Sequence, residues 1–108
     1  MEEIVNQLNS VIVEGNVVSC VSSMLEKKSV SSLEFVMTSN RFYKERQAIR
    51  QQINIFKVVA FGSLARGCGE IVKEGTIVRV VGRLESNDKG WVYIVAEHIE
   101  AKPVVENK

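Results

Sequence analysis

"NIFKVVAFGSLA", residues 54–65, decides the fold. An apolar run closes on Phe61-Gly62 and passes at once into a helical pattern. Within the run, Phe56, Val58 and Ala60 project to one side and Ile55, Lys57, Val59 and Phe61 to the other, the period-two alternation of a strand. Gly62-Ser63 offers an N-cap, and Leu64, Ala65, Cys68, Ile71 and Val72 fall on a helical stripe that Glu74-Gly75 stops. A strand, a glycine and a helix open many phosphate-binding enzymes, but no GxxxxGK follows this strand and no lysine appears before Lys73. The other architecture that begins this way is a small barrel whose chain turns out through glycine into a capping helix.

The flanking pattern favours the barrel. Upstream, Val11–Val18 is β-branched and interrupted by Gly15, the mark of a bulge or sharp bend. Residues 21–32 read as a polar connection with at most a short strand before it. Leu33, Phe35 and Met37 alternate with Glu34, Val36 and Thr38 as a half-buried strand. Residues 40–52 have no apolar stripe and read as a long exposed loop. Downstream, residues 76–85 alternate Val78, Val80 and Leu84 against Arg79, Val81 and Arg83. Asn87-Asp88-Lys89-Gly90 is a hairpin turn, and residues 91–99 are a fifth strand. Three strands, a helix and two strands exclude the alternating order of a doubly wound sheet. They predict an all-β chain with one helix: an OB-fold, a five-stranded Greek-key barrel with a helix between strands 3 and 4.

At 108 residues the chain is sized for one domain. Residues 1–102 are assigned to the barrel, and 103–108 to a short flexible C-terminal end. No apolar run approaches the roughly 20 residues of a membrane span. The acidic start Met1-Glu2-Glu3 is not that of a secretory signal, so a cytoplasmic, nucleoid-associated location is expected. Cys20 and Cys68 are far apart and read as reduced thiols. With one histidine, His98, and no ligand spacing, neither a metal nor a cofactor is expected, and nothing points to an enzyme.

Charge is unevenly spread. Residues 41–57 carry Arg41, Lys44, Arg46, Arg50 and Lys57 against Glu45 alone, a net +4 on a chain of +1 overall. The side of the third strand turned away from the core would ordinarily be polar. Here it is Ile55, Lys57, Val59 and Phe61, and Arg79, Val81 and Arg83 extend it on the fourth strand. Arg41, Phe42, Tyr43 and Lys44 follow the second strand. Cations for phosphates beside flat or apolar platforms for bases suit single-stranded nucleic acid. A protein-docking or subunit face fits the same pattern.

Specific strings separate these readings. "VIVEGNVV" (11–18), "FVMTSNRFYK" (35–44), "FKVVAFGSLA" (56–65), "EIVKEGTIVRVVGRL" (70–84) and "IVAEHI" (94–99) together resemble the bacterial single-stranded DNA-binding protein family, in the family's order. The resemblance implies an OB-fold that coats single-stranded DNA without strong sequence preference in replication, recombination and repair. It also implies a homotetramer or dimer joined through the strand at 11–18. The family's stacking aromatics fall on Phe42 and Phe61, and its strand cation on Lys57. Ile55 stands where a tryptophan is common. Trp91 matches no stacking position and is expected in the core or as a hairpin anchor. The family's long tail and acidic tip have no counterpart after residue 99, so recruitment of partner enzymes by that route is not expected. This pattern would suit a trimmed chain or a tail-less primosomal-type relative. The resulting DNA-binding set is Arg41, Phe42, Tyr43, Lys44, Arg46, Arg50, Ile55, Lys57, Val59, Phe61, Arg79 and Arg83.

Overall fold

Residues 4–25 and 30–102 are described by a computed structural model. Five strands, β1 (Val11–Leu25), β2 (Val30–Glu45), β3 (Ala48–Phe61), β4 (Ile77–Ser86) and β5 (Val92–Ala101), close a barrel in the order β1-β2-β3-β5-β4. All pairings are antiparallel except β3 with β5, which run parallel through Val58–Ile94 and Val59–Val95. A parallel neighbour needs a crossover. Here it contains α1 (Gly62–Cys68), between β3 and β4 as expected.

The interior is filled by the predicted parity except at Leu84, expected inside with Val78 and Val80 but 40% exposed beyond the register shift between Val81 and Gly82. Leu33, Phe35 and Met37 of β2, Val58 and Ala60 of β3, Val78 and Val80 of β4 and Ile94 of β5 are almost fully buried. Burial of such side chains contributes about 1.5–3 kcal/mol each, so this alternation also holds strand register.

Two glycines let backbones pass closely. A Cβ on Gly15 would lie 2.1 Å from the Thr38 carbonyl oxygen, where β1 leaves β4 and joins β2. The register shift itself comes slightly later, between Val17 and Ser19. On Gly82 a Cβ would lie 2.2 Å from the Val95 carbonyl oxygen, beside the β4–β5 bulge.

Several sequence expectations are corrected. Residues 40–52 are not a loop: β2 and β3 pair without interruption from Ser32–Phe61 to Glu45–Ala48. The turn is Arg46-Gln47, both with positive φ, 49° and 68°. That is the type I′ geometry that matches strand twist, built here without the usual Asn-Gly. Residues 21–32 are largely strand, since β1 runs to Leu25 and β2 starts at Val30; Lys27-Lys28-Ser29 lie outside the described residues. The helix ends at Cys68, not near Glu74, and Phe61, not Gly62-Ser63, occupies the N-cap position. Ile71 and Val72 leave the helix in a turn that folds back, their N–H groups donating to the Cys68 carbonyl. Val72 stays buried and keeps its place under the barrel. Gly75 is left-handed (φ 88°) but acts beyond the helix, donating its N–H to the Val17 carbonyl at 2.8 Å. The segment 103–108 lies outside the described residues.

Candidate nucleic-acid interface

Beyond Thr38–Ile55, β2 and β3 pair only with each other, since β1 meets β2 up to Thr38 and β5 meets β3 only at Val58–Val59. The hairpin therefore projects from the barrel as a two-stranded arm. Eight residues from Thr38 to the turn give it a reach of roughly 25 Å at the strand rise. Its faces follow from the register. Phe35, Met37, Phe56 and Val58 point inward, so in an unbroken ladder Asn40, Phe42 and Lys44 share the outer face with Ile49, Gln51, Ile53 and Ile55. The reverse face carries Ser39, Arg41 and Tyr43 opposite Asn54, Gln52 and Arg50.

The predicted residues thus divide. Phe42, Lys44, Ile55, Lys57, Val59 and Phe61 form one continuous strip on β2 and β3. Arg41, Tyr43 and Arg50 lie on the back of the arm, where the Arg41 guanidinium sits 5.0 Å from the Tyr43 ring centroid. Cross-strand pairing places Arg50 beside Tyr43. Arg46 occupies the tip. Arg79 and Arg83 are elsewhere, on the outer surface of β4. Arg79 is clasped by Glu14 at 2.9 Å and Glu100 at 3.2 Å. Arg83 pairs with Glu85 at 2.8 Å and reaches Glu97 at 3.9 Å. Lys102 adds a second cation on Glu14, at 2.9 Å. That hydrogen bond leads the causes holding the Glu14 carboxyl below its ordinary value, with the Arg79 guanidinium also lowering it and desolvation opposing.

At the barrel end of the strip lies a groove of about 660 Å³. Its lining includes Lys57, Val59 and Phe61 from β3, Glu34 from β2, and Trp91 and Tyr93 from the β5 side. Val59 is buried at its floor, while Phe61 is 56% and Trp91 71% exposed. Trp91 is therefore not core, which corrects that half of the sequence expectation, and it is tied to the hairpin turn by its backbone. The β4–β5 turn places it there. Asn87 accepts hydrogen bonds at its side-chain oxygen from the N–H groups of Lys89 (2.9 Å) and Trp91 (3.1 Å). Its own N–H donates to the Trp91 carbonyl at 3.0 Å. Lys89 and Asn87 also line the groove. On its β2–β3 side, the Lys57 ammonium lies 3.0 Å from the Glu34 carboxylate, both half exposed.

Ile49, Ile53, Trp91, Tyr93, Lys89 and Glu34 were absent from the sequence-derived set. The two isoleucines have the parity of Ile55: Ile49 was hidden by reading residues 40–52 as a loop, and Ile53 opens the third strand on the same side as Ile55. Trp91 and Tyr93 carry no such signal, because their proximity to Phe61 depends on the parallel β3–β5 pairing.

Burial pushes both thiols above their ordinary value: for Cys68 it acts alone, and for Cys20 the charge of Glu74 adds to it. Among the described residues, no group of three or more His, Cys, Asp and Glu side chains is arranged to hold a metal ion. Nor is any helix among them long and apolar enough to cross a membrane.

Residues 8–92 match the model of the single-strand binding protein family. The chain belongs to that family. Membership makes it a single-stranded DNA-binding protein rather than an enzyme. A search of curated proteins by sequence finds no match. Among solved structures, the chain is similar to the small single-stranded DNA-binding protein of Streptomyces coelicolor, with 26% identity and a TM-score of 0.69 over 94% of this chain and 96% of that one. It is similar in fold to the Plasmodium falciparum protein solved in complex with single-stranded DNA, with 17% identity and a TM-score of 0.76 over 95% and 100% of the two chains. A deletion mutant of the Thermus aquaticus single-stranded DNA-binding protein gives a TM-score of 0.75 at 20% identity. That match covers 89% of this chain and spans about half, 51%, of the Thermus chain.

Proposed function

We propose that single-stranded DNA runs along the outer strip of β2 and β3, from the tip of the arm to the groove beside β5. Bases stack on Phe61, Trp91 and Phe42, with Ile55 as an apolar platform between them and Val59 closing the groove floor beneath. Lys44 and Lys89 neutralise phosphates along the way, and Lys57, paired with Glu34, lies beside the bases. Arg46 at the tip and Arg41, Tyr43 and Arg50 on the back meet a strand that curls around the arm. Stacking on π-faces is indifferent to sequence, which suits coating of exposed strands in replication, recombination and repair in the cytoplasm, at the nucleoid. Arg79 and Arg83, engaged by carboxylates, are given a peripheral role.

The observation that carries this reading is the convergence of Phe61 and Trp91, both half or more exposed, with Lys57 and Lys89 in one groove. Assembly fits β1: its residues 11–15 pair with β4 on one edge, and pairing with β2 begins only at Asn16. The free edge is proposed to pair with a second copy, giving a dimer or tetramer.

Oligonucleotide binding at several salt concentrations, with light scattering on the same sample, tests the reading. For single strands, log affinity falls with log salt by about 0.7 per phosphate contact. Three or more engaged cations make the slope steeper than roughly −2. A flat salt response would refute the phosphate contacts. It would favour protein docking, the second reading, which the exposed aliphatic row Ile49, Ile53 and Ile55 supports.

A further inference from the structure

We infer that the groove between Phe61 and Trp91 prefers guanine among the bases it accepts, and that Glu34 is the residue that makes the choice. The inference rests on the proposed strand path. A groove that only stacks and neutralises needs aromatics and cations. This one also contains a carboxylate, which repels phosphate and so works against general affinity. Glu34 is outward-facing on β2, directly across from Val59 in the β2–β3 register, and half exposed at its side chain. It thus lines the groove beside Val59, where it would meet the edge of a base stacked there.

The Glu34–Lys57 pair, 3.0 Å apart, places an acceptor-only group next to a donor-only group. The Watson–Crick edge of guanine matches that order. Its O6 accepts, facing the Lys57 ammonium, and its N1–H and N2–H donate as a pair, facing the two carboxylate oxygens of Glu34. Cytosine and adenine each offer one amino donor beside a ring acceptor. Thymine offers a single N3–H between two carbonyls that a carboxylate repels. Guanine alone engages both oxygens of Glu34 while satisfying Lys57. The groove is open to solvent, so the bidentate contact sits at the low end of the range for base readout, about a fivefold preference.

The test uses the full chain and short labelled oligothymidylates that are uniform or carry one central deoxyguanosine, deoxycytidine or deoxyinosine. The wild-type protein is expected to bind the guanine-containing strand about fivefold more tightly than the uniform one. Inosine, which lacks the N2 amino group, should lose most of that gain. In Glu34→Gln the ratio of the two affinities should fall to about one, because the amide nitrogen replaces one of the two acceptor oxygens that guanine engages. Equal wild-type affinity for all four strands, or a guanine advantage that survives Glu34→Gln, overturns the role of Glu34 and leaves the strand path standing. Failure to bind even uniform thymidylate overturns the strand path itself.

Discussion

Truncation of Phe61 to alanine separates a stacking platform from a packing residue. The ring is 56% exposed, so somewhat under half of it is buried in the free protein. Full burial of a phenylalanine contributes about 1.5–3 kcal/mol, so Phe61→Ala should lower folding stability by only about 1 kcal/mol. For a domain of this size that is a fall in melting temperature of roughly 4–8 °C. The exposed part is what a base would cover. Stacking on an aromatic ring is worth about 1–3 kcal/mol per base, which weakens binding by about five- to 150-fold when it is lost. Anisotropy of a labelled oligothymidylate reports Kd, and calorimetry reports Tm. The chain has a single tryptophan, Trp91, in the same groove, so its emission reports occupancy directly. Emission should be quenched on saturation in the wild type and in Phe61→Ala alike, at higher oligonucleotide concentration in the variant. A Kd unchanged within experimental error alongside a much larger fall in Tm would refute the reasoning. So would saturation of the anisotropy signal with Trp91 emission unmoved.

Other outcomes follow from the geometry. Gly15→Ala sets a Cβ 2.1 Å from the Thr38 carbonyl oxygen, a backbone atom with no freedom to yield. It should destabilise by about 3 kcal/mol or more in chemical denaturation, since overpacking alone typically costs 1–3. Gln47→Gly removes a side chain from a left-handed turn position (φ 68°) and should stabilise the arm by about 1 kcal/mol, read as slower amide exchange confined to residues near the tip. Lys44→Ala should flatten the salt dependence of DNA binding by about 0.7 in log–log slope, whereas Arg79→Ala, whose charge Glu14 and Glu100 already hold, should leave the slope unchanged. The Glu14 carboxyl is held below its ordinary value of 4.5, so the folded state gains from its ionisation above that pH and loses the gain as pH falls through the lowered value. The wild-type Tm should therefore drop more steeply than that of Glu14→Gln on acidification below about 4.5, and parallel curves would show that the Lys102 and Arg79 contacts contribute nothing.

Local chemistry carried the barrel. The alternation of Phe56, Val58 and Ala60 against Ile55, Lys57, Val59 and Phe61, the exit at Gly62 and the Asn87–Gly90 turn are properties of neighbouring residues, legible wherever one face must be buried. The arm was lost for two physical reasons. Both of its faces are wet, so its apolar residues Phe42, Ile49 and Ile53 are exposed and mark no buried side, and its type I′ turn is built from Arg46 and Gln47 rather than glycine or asparagine. Only the tertiary structure decided what meets across strands distant in the chain. The parallel β3–β5 pairing brings Trp91 beside Phe61, and barrel closure delivers Glu14 and Glu100 to Arg79. Period-two spacing says which side of its own strand a residue occupies. Which strand lies alongside depends on the closure of the whole sheet, and so does whether an arginine stands free or is already claimed by an acid.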